Sequence, residues 1–244
     1  MTQPVSVGAA QVLTLPPFRL SLQTVAISVD AITAEQAGVE QVRTEEHQRL
    51  AGVLPNFFVS YTWTAQPLTA KQKYRLATHT VFDPGNLALA GLVAGVQQAD
   101  DAFPGYGQGA AGYSKRFGAD LANLAIGTYL GGAVLPSLFH QDPRYFYKGT
   151  GTKKSRFVYA VSRAVITRGD NGHQQPNFSG ILGDLSAGAI SNLYYPASDR
   201  QGATLFVENS ILGIAGDALT DFVQEFIFSR FTLDTRTRKA AAKP

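Results

Sequence analysis

The 244-residue chain has no cysteine, a single tryptophan and a single methionine, and only 16% of its residues are charged. Without cysteine there is no disulfide framework and no thiolate chemistry. An average soluble domain carries about 25% charged residues. A chain so short of charge has little solvated surface per residue, which favours close helix packing, burial in an assembly or contact with lipid. Two further features are missing. The N-terminal stretch MTQPVSVGAAQVL has no basic segment followed by an apolar one, so it does not read as a signal peptide. No uncharged apolar run clearly exceeds the roughly 20 residues of a bilayer span. Leu121–Phe139 comes nearest, interrupted by Asn123, Thr128, Pro136 and several glycines.

What is present is 45% hydrophobic residues, 24 glycines and a net charge of +3. That size suffices for one sizeable core, or a core with a small appendage. The period-two alternation of Leu20, Leu22, Val25, Ile27 and Val29, after Pro16-Pro17, predicts short strands within residues 1–33. Such strands need a partner from elsewhere. Residues 34–66 read as a linker, first a charged exposed helix (34–51) and then the aromatic, extended VLPNFFVSYTW. His47 belongs to its solvated part. Residues 67–232 read as a helical body, and 233–244 as a basic disordered tail. The fold expected is mainly α, a close-packed bundle of about five to six helices with small-xxx-small contacts plus the short N-terminal β segment.

Within the body, Thr69 is a candidate cap for the helix AKQKYRLATHTVF, and Asp83-Pro84 pairs a cap with a proline at the first helical position. A long helix is expected from about Tyr113 to Phe139, bent near Gly131-Gly132 and Pro136. Asp142-Pro143 predicts another helix or turn start. Helices are then expected over 155–168, 178–195 (stopped by Pro196) and 203–231, with TRGDNGHQQPN as a loop. Membrane-barrel strands over 155–231 are the alternative. The many alanines and glycines and the poor alternation disfavour them.

Small residues recur at every fourth position at Gly91 and Gly95, at Gly127 and Gly131, and at Ser179, Gly183, Ala187 and Ser191. This spacing lets helix backbones approach closely, in lipid or in a tightly packed soluble core. The apolar helices also carry acids: Asp120, Asp184, and Asp217 with Asp221. In lipid these acids would face inward and be functional. In water they would mark a polar face.

The densest polar cluster is His140, Asp142, Arg144, Tyr145 and Tyr147. As a site, His140 would act as acid or base, Asp142 would orient it and Arg144 would bind an anion. As structure, His140 would suit the end of a helix dipole, Asp142 would cap at Pro143 and Arg144 would pair with a carboxylate. The H-x3-D-P of His79 and Asp83 echoes it, but convergence of His79 and His140 on a metal matches no ligand motif. His173 sits in a Gly/Asn loop with no partner in view. The glycine-rich GYGQGAAGYSKRFG lacks the order of a phosphate-binding loop and reads as an ordinary flexible loop. No cofactor is implied.

Arg144, Lys148, Lys153, Lys154, Arg156, Arg163 and Arg168 alternate with Tyr145, Phe146, Tyr147, Phe157 and Tyr159. The stretch reads as a solvated face, then as an anionic-lipid surface whose ligands would be Arg144, Tyr145, Tyr147, Lys148, Lys153, Lys154 and Arg156. No nucleic-acid partner is expected, because no nucleic-acid fold accompanies it.

The stretches PNFFVSYTW, LTAKQKYRLA, GYGQGAAGYSKRFGA, LPSLFHQDPRYFYKGTG and ISNLYYPASDR resemble a family of uncharacterised bacterial proteins, over most of residues 53–231. Its helical body often follows a carboxypeptidase-regulatory-like β-sandwich, whose closing strands LTLPPFRLSLQTVAISVDA resembles. The resemblance implies export to the cell envelope and no particular activity. The reading carried forward is a non-enzymatic, membrane-associated or envelope protein with a structural or interaction role, able to self-associate through its N-terminal strands. Its alternatives are an enzyme acting on an envelope lipid or glycan near His140, Asp142 and Arg144, and a lipid or small-molecule carrier with a cavity between the glycine-lined helices.

Overall fold

The computed structural model describes residues 34–200 and 203–232, with the side chains of 36–200 and 214–232. These residues belong to one compact unit that begins at Thr33. The strands expected within residues 1–33 and the tail 233–244 lie outside the described residues.

The body is mainly helical. In chain order it contains α1 (Ala34–Glu46), α2 (Ala70–Val81), α3 (Pro84–Ala99), α4 (Gly109–Tyr129), α5 (Leu135–Leu138), α6 (Lys153–Ser162), α7 (Phe178–Ser191) and α8 (Ala203–Phe226). Local signals set the starts. Thr69 accepts from the Gln72 N–H at 3.3 Å while Gln72 accepts from the Thr69 N–H at 2.8 Å, a reciprocal capping box on α2. Asp83 accepts from the Gly85 N–H at 2.8 Å, with Pro84 at the first position of α3. Thr152 caps α6 in the same way through the Ser155 N–H.

The long central helix runs through α4 and α5, joined by a single wide turn at Leu130–Val134. Pro136 has no N–H, and its ring would strike the carbonyl four residues back in a regular helix. The wide turn, with the Leu135 N–H reaching the Leu130 carbonyl, absorbs that conflict. The wide turn therefore falls where Gly131-Gly132 and Pro136 stand.

Short strands tie the helices together. β1 (Arg49–Leu50) and β2 (Leu54–Pro55) form a hairpin whose turn uses Ala51 and Gly52 at positive φ. β3 (Val59–Ser60) runs parallel to β5 (Tyr145–Phe146). β4 (Gln141–Asp142), β6 (Ile166–Gly169) and β7 (Gln174–Pro176) form an antiparallel sheet. Of the two starts allowed at Asp142-Pro143, a turn forms and a helix does not: Asp142 ends β4 and accepts from the Arg144 N–H before β5 begins. Two expectations are corrected here. The helix expected over 155–168 stops at Ser162, because the β-branched Ile166 and Thr167 are drawn into pairing with β7, and Arg168 and Gly169 with β4. The loop TRGDNGHQQPN is instead the arm and turn of the β6–β7 hairpin, with Gly172 at positive φ. The charged segment after residue 34 is also no detached linker, since α1 packs on α2 and buries Val42, Glu45 and Glu46.

The buried apolar cluster is small: Val42, Phe57, Leu68 and Leu76, with Phe58 against it. Much of the remaining interior is polar, including fully buried Lys73, Arg116, Gln141, Glu45 and Glu225. Lys73 donates to the Pro136 carbonyl and to Asp170 at 2.8 Å.

The small-residue spacing produces one close backbone approach. A Cβ on Gly183 of α7 would lie 3.0 Å from the Gly131 Cα. Gly91 has only ordinary contacts with Tyr113 and Phe117, whereas Gly95, Gly127 and Gly131 would each place a Cβ in open space. Against α4, α3 buries Ala90 and Ala94 rather than the glycines. Ala187 is half-buried on α7. Opposite effects follow at two glycines of one motif. Gly183→Ala is expected to lower stability by about 1–3 kcal/mol, because backbone cannot yield as a side-chain tip does. Gly127→Ala is expected to raise it by about 0.5–1 kcal/mol through helix propensity alone. Thermal unfolding of the two variants checks this, and shifts of the same sign would contradict it.

Candidate functional site

The turn between β4 and β5 brings Asp142 and Arg144 together. Arg144 is fully buried at its side chain. Its Nε and Nη2 donate to Asp142 at 2.8 and 2.6 Å, its Nη1 to Glu45 of α1 at 2.9 Å, and Nη2 also to the Gln66 carbonyl at 2.8 Å. The Arg144 N–H closes the turn onto Asp142 at 3.1 Å. Burial works against the guanidinium charge, yet Asp142 and Glu45 outweigh it and raise the Arg144 pKa. Burial raises that of Glu45 despite its partner.

His140 is not part of this group. It is exposed, sits at φ 53° outside the preceding helix, and its carbonyl accepts from the Asp170 N–H at 2.8 Å. Arg144 lines a cavity described below, but neither His140 nor Asp142 does. The arrangement His140–Asp142–Arg144 is thus not assembled for acid–base work. His79 is exposed and 3.9 Å from Glu46, while Asp83 is engaged by Arg49 at 2.6 Å. Burial opposes the charge of Asp83, yet Arg49 and the Gly85 N–H hold its carboxyl below the usual carboxylate range. Among the described residues no group of three or more His, Asp or Glu is arranged to hold a metal. His173 and His47 are exposed.

The basic and aromatic stretch is also redistributed. Arg144 and Tyr145 are buried. Glu225 of α8, fully buried, accepts from the Tyr145 hydroxyl at 2.8 Å, the Lys148 and Gly149 N–H groups at 3.0 and 2.9 Å, and Arg156 Nε at 2.6 Å. Burial first, and then Glu225, push the Tyr145 phenol far up. The Arg156 guanidinium also lies over the Tyr147 and Phe226 rings. Lys148 lies over Tyr159 and donates to Ser155. Only Lys153 and Lys154, on the first turn of α6, stay exposed from the expected lipid-surface set, beside exposed Phe157, Val158 and Val161.

The glycine-rich loop before α4 is organised by Arg116. This fully buried side chain binds the carbonyls of Ala102, Phe103 and Gly107 at 2.8, 3.2 and 2.6 Å, and Gln98 at 2.6 Å. The loop therefore turns acceptors inward around a cation, the reverse of a phosphate cradle, and is not an ordinary flexible loop.

A cavity of about 690 Å³ lies between α4, α7 and α8 and the strands β3 and β5. Gly127 and Gly131 form one wall, Phe58 and Phe146 another, and Asp184, Asp217 and Asp221 a third, with Arg163 and Arg168 also facing it. The acids of the apolar helices α7 and α8 thus face inward rather than marking a polar surface. Asp217 and Asp221 are one helical turn apart and share a face of α8. Asp184 and Asp217 are hydrogen-bonded to each other. Burial and the neighbouring Asp184 push Asp217 up to about 7. Burial and Asp217 push Asp221 up to about 8, against the pull of Arg163. A lining of this size and mixed polarity suits a small ligand. The i, i+4 spacing of Asp217 and Asp221 was visible in the sequence; their convergence with Asp184 depends on helix pairing and was not. Arg116 and Glu225 left no local signal, since their partners are main-chain groups or residues far along the chain. Comparison of the chain with protein-family models, with curated proteins and with solved structures finds no match.

Proposed function

We propose that this chain is a non-enzymatic, membrane-associated protein of the cell envelope, with an interaction or binding role, in which the outer faces of α3 and of the helix Gly109–Leu138 meet lipid. The observation that carries this is the inverted placement of polarity on α3. Leu89, Leu92, Val93 and Val96 recur at helical spacing and are all exposed, Leu92 by 67%, while the inward face is Ala90 and Ala94. In water that arrangement loses roughly 1.5–3 kcal/mol for each large side chain left unburied. Meanwhile Lys73, Arg116, Arg144 and Glu225 fill the interior. The helix Gly109–Leu138 is long and apolar enough to cross a membrane, and only 17% of its apolar window is buried within the protein. A core helix of a soluble bundle would be covered. Lys153 and Lys154 beside Phe157 and Val158 supply a basic, apolar margin suited to anionic headgroups. The resemblance of residues 53–231 to an envelope family supports the location.

Fractionation of cells making the full chain tests the reading. The protein is expected in the membrane pellet, to stay there through a high-salt wash that strips peripheral charge contacts, and to leave with mild detergent. Leu92→Glu combined with Val96→Lys, both at exposed positions, is expected to shift it toward the salt-released fraction. A soluble monomer overturns the proposal. So does a soluble oligomer, which would assign the apolar faces to a second copy.

A further inference from the structure

The wall of the cavity formed by Asp184, Asp217 and Asp221 holds three carboxyl groups, and no salt bridge reaches them among the described residues. Of the positive groups that face the same space, Arg144 and Arg168 are engaged elsewhere, while Arg163 is only partly so: its Nε is buried without a partner among the described residues and its charge acts on Asp221. Arg144 is neutralised by Asp142 and Glu45. Arg163 donates to Gln174 at 2.6 Å and lies over the Tyr159 ring, and Arg168 donates to the Trp63 carbonyl at 2.9 Å and lies over Phe146.

A second, independent observation comes from Gln224, three residues beyond Asp221 on the same face of α8. It lines the cavity and is only 7% exposed. Its amide nitrogen is committed to Asn56 Oδ1, because the Asn56 nitrogen already donates to Tyr61 and Thr232. The Gln224 oxygen is left buried with no partner among the described residues, and so is Oδ2 of Asp184. A buried acceptor without a donor costs about 1–3 kcal/mol. Two such acceptors on one wall, beside two more carboxyls, describe a complement to hydrogen-bond donors and positive charge.

We propose that this cavity is a binding site for a small organic ammonium compound, whose N–H groups bond Asp184, Asp217, Asp221 and Gln224 and whose apolar part packs against Phe58, Leu124 and Phe146. A metal ion fits less well, because no group of His, Asp or Glu among the described residues has the spacing to ligate one. A cavity of about 690 Å³ also far exceeds what a bare ion fills. Facing aromatic rings add cation–π attraction. The site holds whether or not the outer helices meet lipid, so it is independent of the membrane reading.

The carboxyls set a pH dependence. With Asp217 near 7 and Asp221 near 8, both are largely protonated in slightly acidic solution, and protonated carboxyls attract an ammonium weakly. The groups facing them are Asp184 on α7, Arg163 after α6, Tyr159 on α6 and Tyr145 on β5. Binding therefore strengthens as pH rises and the two carboxyls ionise, and protons leave as the cation enters.

Calorimetric titration of the purified full chain, in the detergent that extracts it, tests this with benzylammonium, benzyl alcohol and benzoate. Benzylammonium is expected to saturate one site and to bind about tenfold or more tightly at about pH 8.5 than at about pH 6, the change one unit of carboxyl titration allows. Benzyl alcohol and benzoate are expected not to saturate. Asp217→Asn with Asp221→Asn keeps the shape of the protonated side chains and is expected to abolish binding while leaving the melting profile cooperative. Gly127→Leu fills the opposite wall, where a Cβ has open space, and is expected to block binding without touching the acids. Equal binding of the neutral alcohol, or unchanged affinity in either variant, overturns the proposal. So does the absence of saturable benzylammonium binding. If the double Asn variant fails to fold, Gly127→Leu and the pH series still decide.

Discussion

Arg144→Met is expected to destabilise the protein by about 3–5 kcal/mol, among the largest effects of any single substitution in the body. The loss comes less from the missing attraction than from what stays behind. Asp142 and Glu45 lie buried on either side of the guanidinium, 3% and 2% exposed at their side chains. With Arg144 gone, each must hold a charge without a partner or take up a proton. The sign of the pH dependence separates this from a packing defect. Carboxyls whose folded pKa is raised contribute stability that is present below the unfolded carboxylate pKa and is lost as pH rises through the folded value. The deficit of Arg144→Met against the parent chain should therefore narrow at about pH 5 and widen at about pH 8. Arg144→Lys should fall between, since one ammonium cannot reproduce the fork that holds Asp142 through two nitrogens and Glu45 through a third. Denaturant titration at the two pH values measures both variants. A deficit under 1 kcal/mol, or one that does not move with pH, would sink this account of the site.

Arg144 also marks where sequence reading stops. The caps at Thr69 and Asp83 could be read because donor and acceptor lie within three residues of each other. The irregularity at Gly131 and Pro136, a wide turn in the structure, was legible for the same reason: a missing N–H acts on its own turn. By contrast, the cluster around Asp142 could be read as a site or as scaffolding. Deciding needs Glu45, which lies 99 residues from Arg144 along the chain. The β6 segment failed through a similar long-range effect. Its Ile and Thr are compatible with a helix end or a strand, and only pairing of Ile166 and Thr167 with β7, and of Arg168 and Gly169 with β4, selects the strand. The small-residue spacing named the helices that approach closely but not the contact itself. Gly183 meets Gly131, whereas Gly127, four residues earlier, opens onto the cavity. A stripe of small residues therefore served two ends, close packing at one level and empty volume at the next, and nothing in the spacing distinguishes them. Inward-facing acids follow the same logic. On helices whose outer faces are apolar, an aspartate has only the interior to turn to, and α7 and α8 turning Asp184, Asp217 and Asp221 toward one space make a polar chamber.

Glu225 anchors the end of α8 to the segment after β5, and Glu225→Gln is expected to cost about 3–5 kcal/mol although it changes one atom. The carboxylate is 0% exposed and receives four donors: the Tyr145 hydroxyl, the Lys148 and Gly149 amides, and Arg156 Nε. Glutamine would place an NH2 group among donors. If that nitrogen stands at Oε2, the Tyr145 hydroxyl can turn to accept, but the Lys148 amide cannot. If it stands at Oε1, it faces the Gly149 amide and the Arg156 guanidinium, neither of which accepts. Either orientation leaves buried donors opposed and leaves Arg156, 19% exposed, without its counter-charge. Because these donors belong to the segment leading from β5 into α6, the damage is expected to spread locally first. Hydrogen exchange at the Lys148 and Gly149 amides should accelerate before the rest of the body opens. Tyr145→Phe removes only one of the four donors and is expected to cost about 1.5–3 kcal/mol, the range for a hydrogen bond to a charged group. In a double-mutant cycle the Tyr145 and Glu225 substitutions should be less than additive, since each removes the same bond. Full additivity, or a Glu225→Gln variant as stable as the parent, would show that the anchor of α8 lies elsewhere.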